Sequence, residues 1–166
     1  MIRHTPIHFA LALWSRFSSA LDSLRPLAAL VARAYLAQVF FLSGLTKIRD
    51  WEITLLLFTE EYQVPLLSPQ VAAVMGTAGE LVLPVLLLLG LAGRFAALGL
   101  SVVNVVAVLS LSEIAPAALQ QHITWGVLLA ALVIYGVGRW SVDCLWLKPW
   151  SVRQAPQQEM PAHSIR

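Results

Sequence analysis

Four long apolar runs dominate the chain, at residues 27–46, 71–91, 95–111 and 123–137, with short polar or proline-containing segments between them. A helix needs about 20 mostly apolar residues to cross roughly 30 Å of hydrocarbon. The pattern therefore predicts an all-α polytopic membrane protein built as a four-helix transmembrane bundle. The last two runs are short, which a locally thinner bilayer or helical flanks accommodate. Ahead of the first run, Ala10, Leu13, Trp14, Phe17, Leu21 and Leu24 recur at helical spacing, opposite Ser15, Arg16, Ser18, Ser19, Asp22 and Ser23. This predicts an amphipathic helix lying on the cytoplasmic membrane surface. A signal peptide is the competing reading, but the apolar centre at 9–14 is shorter than a usual signal core and no clear small-residue cleavage site follows. The segment WEITLLLFTEEY at 51–62 is apolar yet too short to cross, and predicts a short helix on the outer surface. Three regions result: an interfacial segment at 1–26, a membrane domain at 27–147, and a polar, mobile cytoplasmic tail at 148–166.

Composition sharpens this picture. Of 166 residues 58% are hydrophobic and 12% charged, against about 25% charged in soluble domains. An ordinary water-soluble enzyme, a disordered chain and a basic nucleic-acid module are excluded, so the expected partner is the lipid bilayer and no nucleic acid. The net charge of +2 is too small to matter, but its placement orients the chain. Nine of the eleven Lys and Arg residues lie before the first run, at its start, in the turn at Arg94 or after the fourth run, and only Lys47 and Arg49 lie on the other side. Basic loops stay in the cytoplasm, which predicts both termini there. Cys144 is the single cysteine, so neither an intrachain disulfide nor a Cys-x-x-Cys pair can form.

Ionisable groups inside hydrocarbon cost at least about 2.5–3.5 kcal/mol each and need a partner or a purpose. Glu80, near the middle of the second run, is the most informative residue of the sequence. Arg33 and Lys47 share one face of the first run with Ala37, Phe40 and Gly44, and by rise per residue both are about equally far in depth from Glu80. Lys47 is favoured because Gly44 beside it allows close helix approach, and snorkelling of both cations to the head groups is the alternative. Gln38 and Asn104, at mid-depth of the first and third runs, are expected to hydrogen-bond between helices. His122 opens the fourth run and is either solvated or proton-active. Pro84 is expected to kink the second run just below Glu80. The sequence has no phosphate-cradling loop and no nucleophile elbow, and no His-x-x-x-His pair falls within a span. No metal site is predicted, since only His122 and distant Met75 could contribute ligands away from the termini. The aromatic residues Trp51, Tyr62, Trp125, Trp140, Trp146 and Trp150 fit an interfacial belt.

The stretches FFLSGLTKIRDW at 40–51, FTEEYQVPLLSP at 58–69, GTAGELVLPVLLLLGLAGRFAAL at 76–98 and QHITWGVLLAALVIYGVGRWSVD at 121–143 resemble the DoxX family of small bacterial inner-membrane proteins. The resemblance runs from Ala32 to Leu147. It includes Ser43, Gly44 and Lys47, then Tyr62 and Pro65, Glu80, the Gly90 and Arg94 turn, and His122 with Gly126. It implies a four-helix membrane bundle in the inner membrane and a loose tie to redox and sulfur metabolism, including thiosulfate:quinone oxidoreductase subunits and oxidative-stress complexes. The lone cysteine argues against direct sulfur transfer.

Three functions follow as expectations. The first is an accessory or anchoring subunit for a redox or stress-defence protein, without catalysis of its own. The second is a quinone-reactive subunit in which Glu80, with Lys47 and His122, relays protons for an electron-transfer partner. The third is a small-molecule transporter, the weakest because the chain has no paired repeats. No cofactor is predicted from the residues, and quinone is the one class the second reading admits. Self-association is left open.

Overall fold

A computed structural model describes residues 6–146. Six helices follow one another: α1 (Pro6–Arg49), α2 (Trp51–Glu60), α3 (Pro69–Leu89), α4 (Gly93–Ser110), α5 (Pro116–Tyr135) and the short α6 (Val142–Trp146). Four of them are long and apolar enough to cross a membrane. Consecutive long helices run antiparallel, with α1 packed on α3, α3 on α4 and α4 on α5, and a narrower contact between α1 and α5 closes the ring. The core inside that ring is built from Leu36, Phe40, Leu87, Ala96, Ala97, Leu100, Leu129 and Leu132. The tail at 148–166 and the first five residues lie outside the described residues.

Two expectations about helix ends change. The amphipathic segment and the first span form one continuous 44-residue helix, about 66 Å long at 1.5 Å per residue and more than twice the thickness of the hydrocarbon. Pro26 lies within it and leaves no break at the expected 26/27 boundary, costing one backbone donor. Its N-terminal half exposes Leu13, Trp14, Phe17, Leu21 and Leu24. Meanwhile α5 starts seven residues before the expected fourth span, with Pro116 in its first turn, where a missing N–H costs nothing. Hydropathy hides this start because Gln120, Gln121 and His122 are polar. Helix formation needs no apolar residue there, so His122 sits inside the helix rather than at its mouth.

At the end of the bundle carrying α6, Arg33 is buried and holds three segments together. Its Nε donates to Leu87 O at 2.9 Å. Its Nη1 donates to Val137 O at 2.9 Å and Trp140 O at 2.8 Å, and its Nη2 donates to Leu88 O. Carbonyls at a helix C-terminus have no partner within the helix, and a five-donor guanidinium serves several at once. Gly90 ends α3 with φ of +68°, and a Cβ there would run into Ser141. Asp143 of α6 then accepts from Ala92 N at 2.8 Å and Gly93 N at 2.9 Å, capping α4.

Replacing Arg33 by Met should expose this dependence. Left bare, the carbonyls of Leu88, Val137 and Trp140 cost about 1–3 kcal/mol each, and the detergent-solubilised protein should unfold at a clearly lower temperature. Arg33→Lys, with three donors in place of five, should fall between Met and the native residue in a thermal-melt series monitored by size-exclusion chromatography.

Candidate functional site

The opposite, α2 end of the bundle encloses a cavity of about 500 Å³. Every long helix contributes to its wall, together with α2 and the segment leading to α3. Gly44 makes the α1 side possible: a Cβ at this position would lie 2.9 Å from Leu81 Cδ2 and 3.1 Å from Glu80 Cβ. With no side chain there, α1 and α3 come close enough for Lys47 Nζ to reach Glu80 Oε2 at 2.6 Å. The same ammonium donates to Ser43 Oγ at 3.0 Å, one turn back on α1. The two side chains retain 20% and 10% of their exposure, and Lys47, Ser43 and Glu80 all border the cavity.

Of the two cations that shared a face in the sequence, only Lys47 meets Glu80. Arg33 is committed to the carbonyls at the other end of the bundle. The equal depth expected from rise per residue does not hold: Gly44 lies beside Glu80, so Lys47 is the nearer cation along α1, and long helical side chains also lean towards the helix N-terminus. Lys47 therefore leans down α1 towards the bundle centre, while Arg33 leans away from it.

The opposite wall carries His122 of α5. Asn104, buried on α4, binds it twice: Asn104 Nδ2 donates to the His122 backbone carbonyl at 2.9 Å, and Asn104 Oδ1 lies 2.8 Å from His122 Nδ1. The expected interhelical hydrogen bond of Asn104 is thus made, and its partner is a site residue. Trp125 packs edge-on against the imidazole, with ring centroids 4.9 Å apart, and its Nε1 donates to Tyr35 Oη at 3.1 Å. Gln38 is exposed on the outer face of α1 and does not join the site.

Two cavity residues escaped the candidate set. Tyr62, read from the sequence as an interfacial aromatic, packs edge-on against Phe58 with centroids 5.0 Å apart and lines the cavity. It is held there by an isolated bridge to Leu111 and by Gln63 N donating to Ser110 O at 2.8 Å, which tie the segment after α2 to the end of α4. Burial first, then the neighbouring Glu61 and Glu80 carboxylates, push the Tyr62 phenol up from its ordinary range, so it stays a neutral hydroxyl at physiological pH. Ser43 is the other. Its position four residues before Lys47, on the same helical face, was the available signal.

Apart from Ser110 the remaining walls are apolar, and Met75, Val102 and Leu109 on them are also strongly exposed on the surface. In a bilayer that surface meets lipid. A second cavity, of about 510 Å³, lies near α6 and is bordered by Pro26, Arg139, Trp140, Cys144 and Leu145; it holds none of the candidate residues. Among the described residues, no three His, Cys, Asp or Glu side chains come together as metal ligands.

The DoxX family model matches residues 28–113, just over half of the sequence, from the first span through α4. The chain belongs to the DoxX family. The matched residues include Lys47, Tyr62, Glu80 and Asn104 and end before α5, which carries His122. No curated protein and no solved structure matches the chain. Membership and the four apolar helices make this DoxX protein a multi-pass membrane protein.

Breaking the Lys47–Glu80 pair should cost more than deleting it. A half-buried charge left alone is penalised, by about 3 kcal/mol where burial is deep, whereas removal of both charges is close to neutral. Lys47→Met and Glu80→Leu should each lower thermal stability, and the double variant should recover most of the loss in a double-mutant cycle.

Proposed function

We propose that this DoxX protein is the membrane subunit through which a redox partner reaches the quinone pool, with the quinone ring held in the cavity at the α2 end. The observation that carries the reading is the convergence of the Lys47–Glu80 pair, Tyr62 and His122 on one otherwise apolar space. At about 500 Å³ it falls within the roughly 300–1,000 Å³ usual for small-molecule sites, which are apolar with a few placed polar groups. The exposed Met75, Val102 and Leu109 on its walls suit entry from the hydrocarbon by a membrane-soluble molecule.

Quinone reduction takes up two electrons and two protons, and quinol oxidation releases them. Lys47–Glu80 and His122 are groups that bind and release protons, positioned on different walls of one cavity. Electrons pass to or from the partner protein, so the anchoring role and the quinone role belong to one subunit. On this reading the cavity lies in the outer half of a bacterial inner membrane, with both termini cytoplasmic, and the charge bias supports that orientation.

Trp125, beside His122, serves as an internal reporter. Decylubiquinone added to the protein in nanodiscs should quench tryptophan emission saturably, and Trp125→Phe should remove most of the saturable part. Glu80→Gln should weaken binding at least tenfold, about 1.4 kcal/mol. Quenching that rises without saturation, equally in native protein and both variants, would show partition into lipid alone and overturn the reading.

A further inference from the structure

Hydrogen-bond bookkeeping around Asn104 fixes a property of the cavity that distances alone do not state. A backbone carbonyl can only accept, so the Asn104 atom 2.9 Å from His122 O must be the amide nitrogen. The other end of the amide, 2.8 Å from His122 Nδ1, is then the oxygen, which also only accepts. Nδ1 must therefore carry the proton. In a neutral imidazole this leaves Nε2 as a bare lone pair, and Nε2 has no hydrogen-bond partner among the described residues. The ring that carries it lines the cavity. A flipped amide would set its oxygen against the carbonyl of His122, two acceptors face to face.

The other wall adds a donor beside the Glu80 carboxylate. Of the three ammonium protons of Lys47, one is directed at Ser43 Oγ and one at Glu80 Oε2, which leaves one for an acceptor. The cavity thus presents a donor on α1 and an acceptor on α5, and the neutral Tyr62 hydroxyl can serve as either. An oxidised quinone carries only carbonyl acceptors, so one facing His122 Nε2 would set lone pair against lone pair. A hydroquinone carries hydroxyls that both donate and accept, and so satisfies both walls. A polar site that leaves its own group unpaired rejects the wrong ligand strongly.

We infer that the cavity is selective for the hydroxylated, reduced form of its ring ligand, a hydroquinone, and that Asn104 is the positioning residue that sets this preference by holding His122 in the Nδ1–H tautomer. The inference rests on the quinone reading above and adds the redox form that the site retains.

The test compares decylubiquinol with decylubiquinone, by competition in nanodiscs kept reducing or oxidising, alongside NMR of the protein carrying ¹⁵N-labelled histidine. The native protein should bind the quinol at least tenfold more tightly, and the His122 signals should show a protonated Nδ1 and an unprotonated Nε2. Asn104→Leu should populate both tautomers and reduce the preference to less than threefold. Equal affinity for the two forms, tighter binding of the quinone, or a protonated Nε2 in the native protein would overturn the inference while leaving quinone binding intact. Failure of both forms to bind saturably would overturn the quinone reading and this inference together. The affinity comparison and the native spectrum need no variant, so misfolding of Asn104→Leu would not shield the proposal.

Discussion

Arg33 donates to four carbonyls, two in the last turn of α3 and two in the chain that follows α5. Those carbonyls fall where helices stop, and a helix that stops near hydrocarbon has no water to complete its hydrogen bonds. One side chain on α1 thereby fixes where α3 ends, how the chain turns past α5, and how both sit against the first span. Asp143 completes the same end by capping α4 through its two first amides. All four spans are thus anchored at the α6 end by polar contacts directed at backbone.

The α2 end is built on a different rule. Its polar groups face one another or border the cavity: Lys47 meets Glu80 and Ser43, Asn104 meets His122, and Tyr62 is turned inward by the segment tied to the end of α4. Side-chain pairs of this sort leave donors and acceptors over, whereas the Arg33 guanidinium directs four of its five donors at carbonyls. An end whose polar contacts are directed at backbone, opposite an end with unspent hydrogen-bonding capacity, is an arrangement suited to holding a ligand. The same contrast explains why two cations with equivalent positions in the helical pattern have different roles: Arg carries enough donors to terminate several backbones, while Lys is a single flexible charge suited to pairing.

Much of this architecture is legible in the amino-acid order. Four apolar runs of spanning length determine the membrane class and the number of crossings, because hydrocarbon thickness and helical rise leave no other solution. The intramembrane carboxylate at Glu80 stands out as the residue most in need of a partner, and Gly44 beside Lys47 indicates where two helices can approach. The DoxX pattern, with Lys47, Tyr62 and Glu80 within it, is likewise a property of the sequence.

Tertiary packing decided the rest. Whether Arg33 or Lys47 meets Glu80 depends on the level at which α3 lies against α1, beside Gly44, and spacing along one helix does not contain that information. Gln38 and Asn104 look alike as mid-span amides, yet Gln38 points outward and Asn104 holds His122, because helix rotation is set by the neighbours and not by the polar residue itself. Continuity of α1 through Pro26 and the early start of α5 at Pro116 escape a hydropathy reading, since backbone hydrogen bonding extends a helix regardless of whether its residues are apolar. The cavity is the last such feature: it consists of space left between five helices, and only their mutual distances create it.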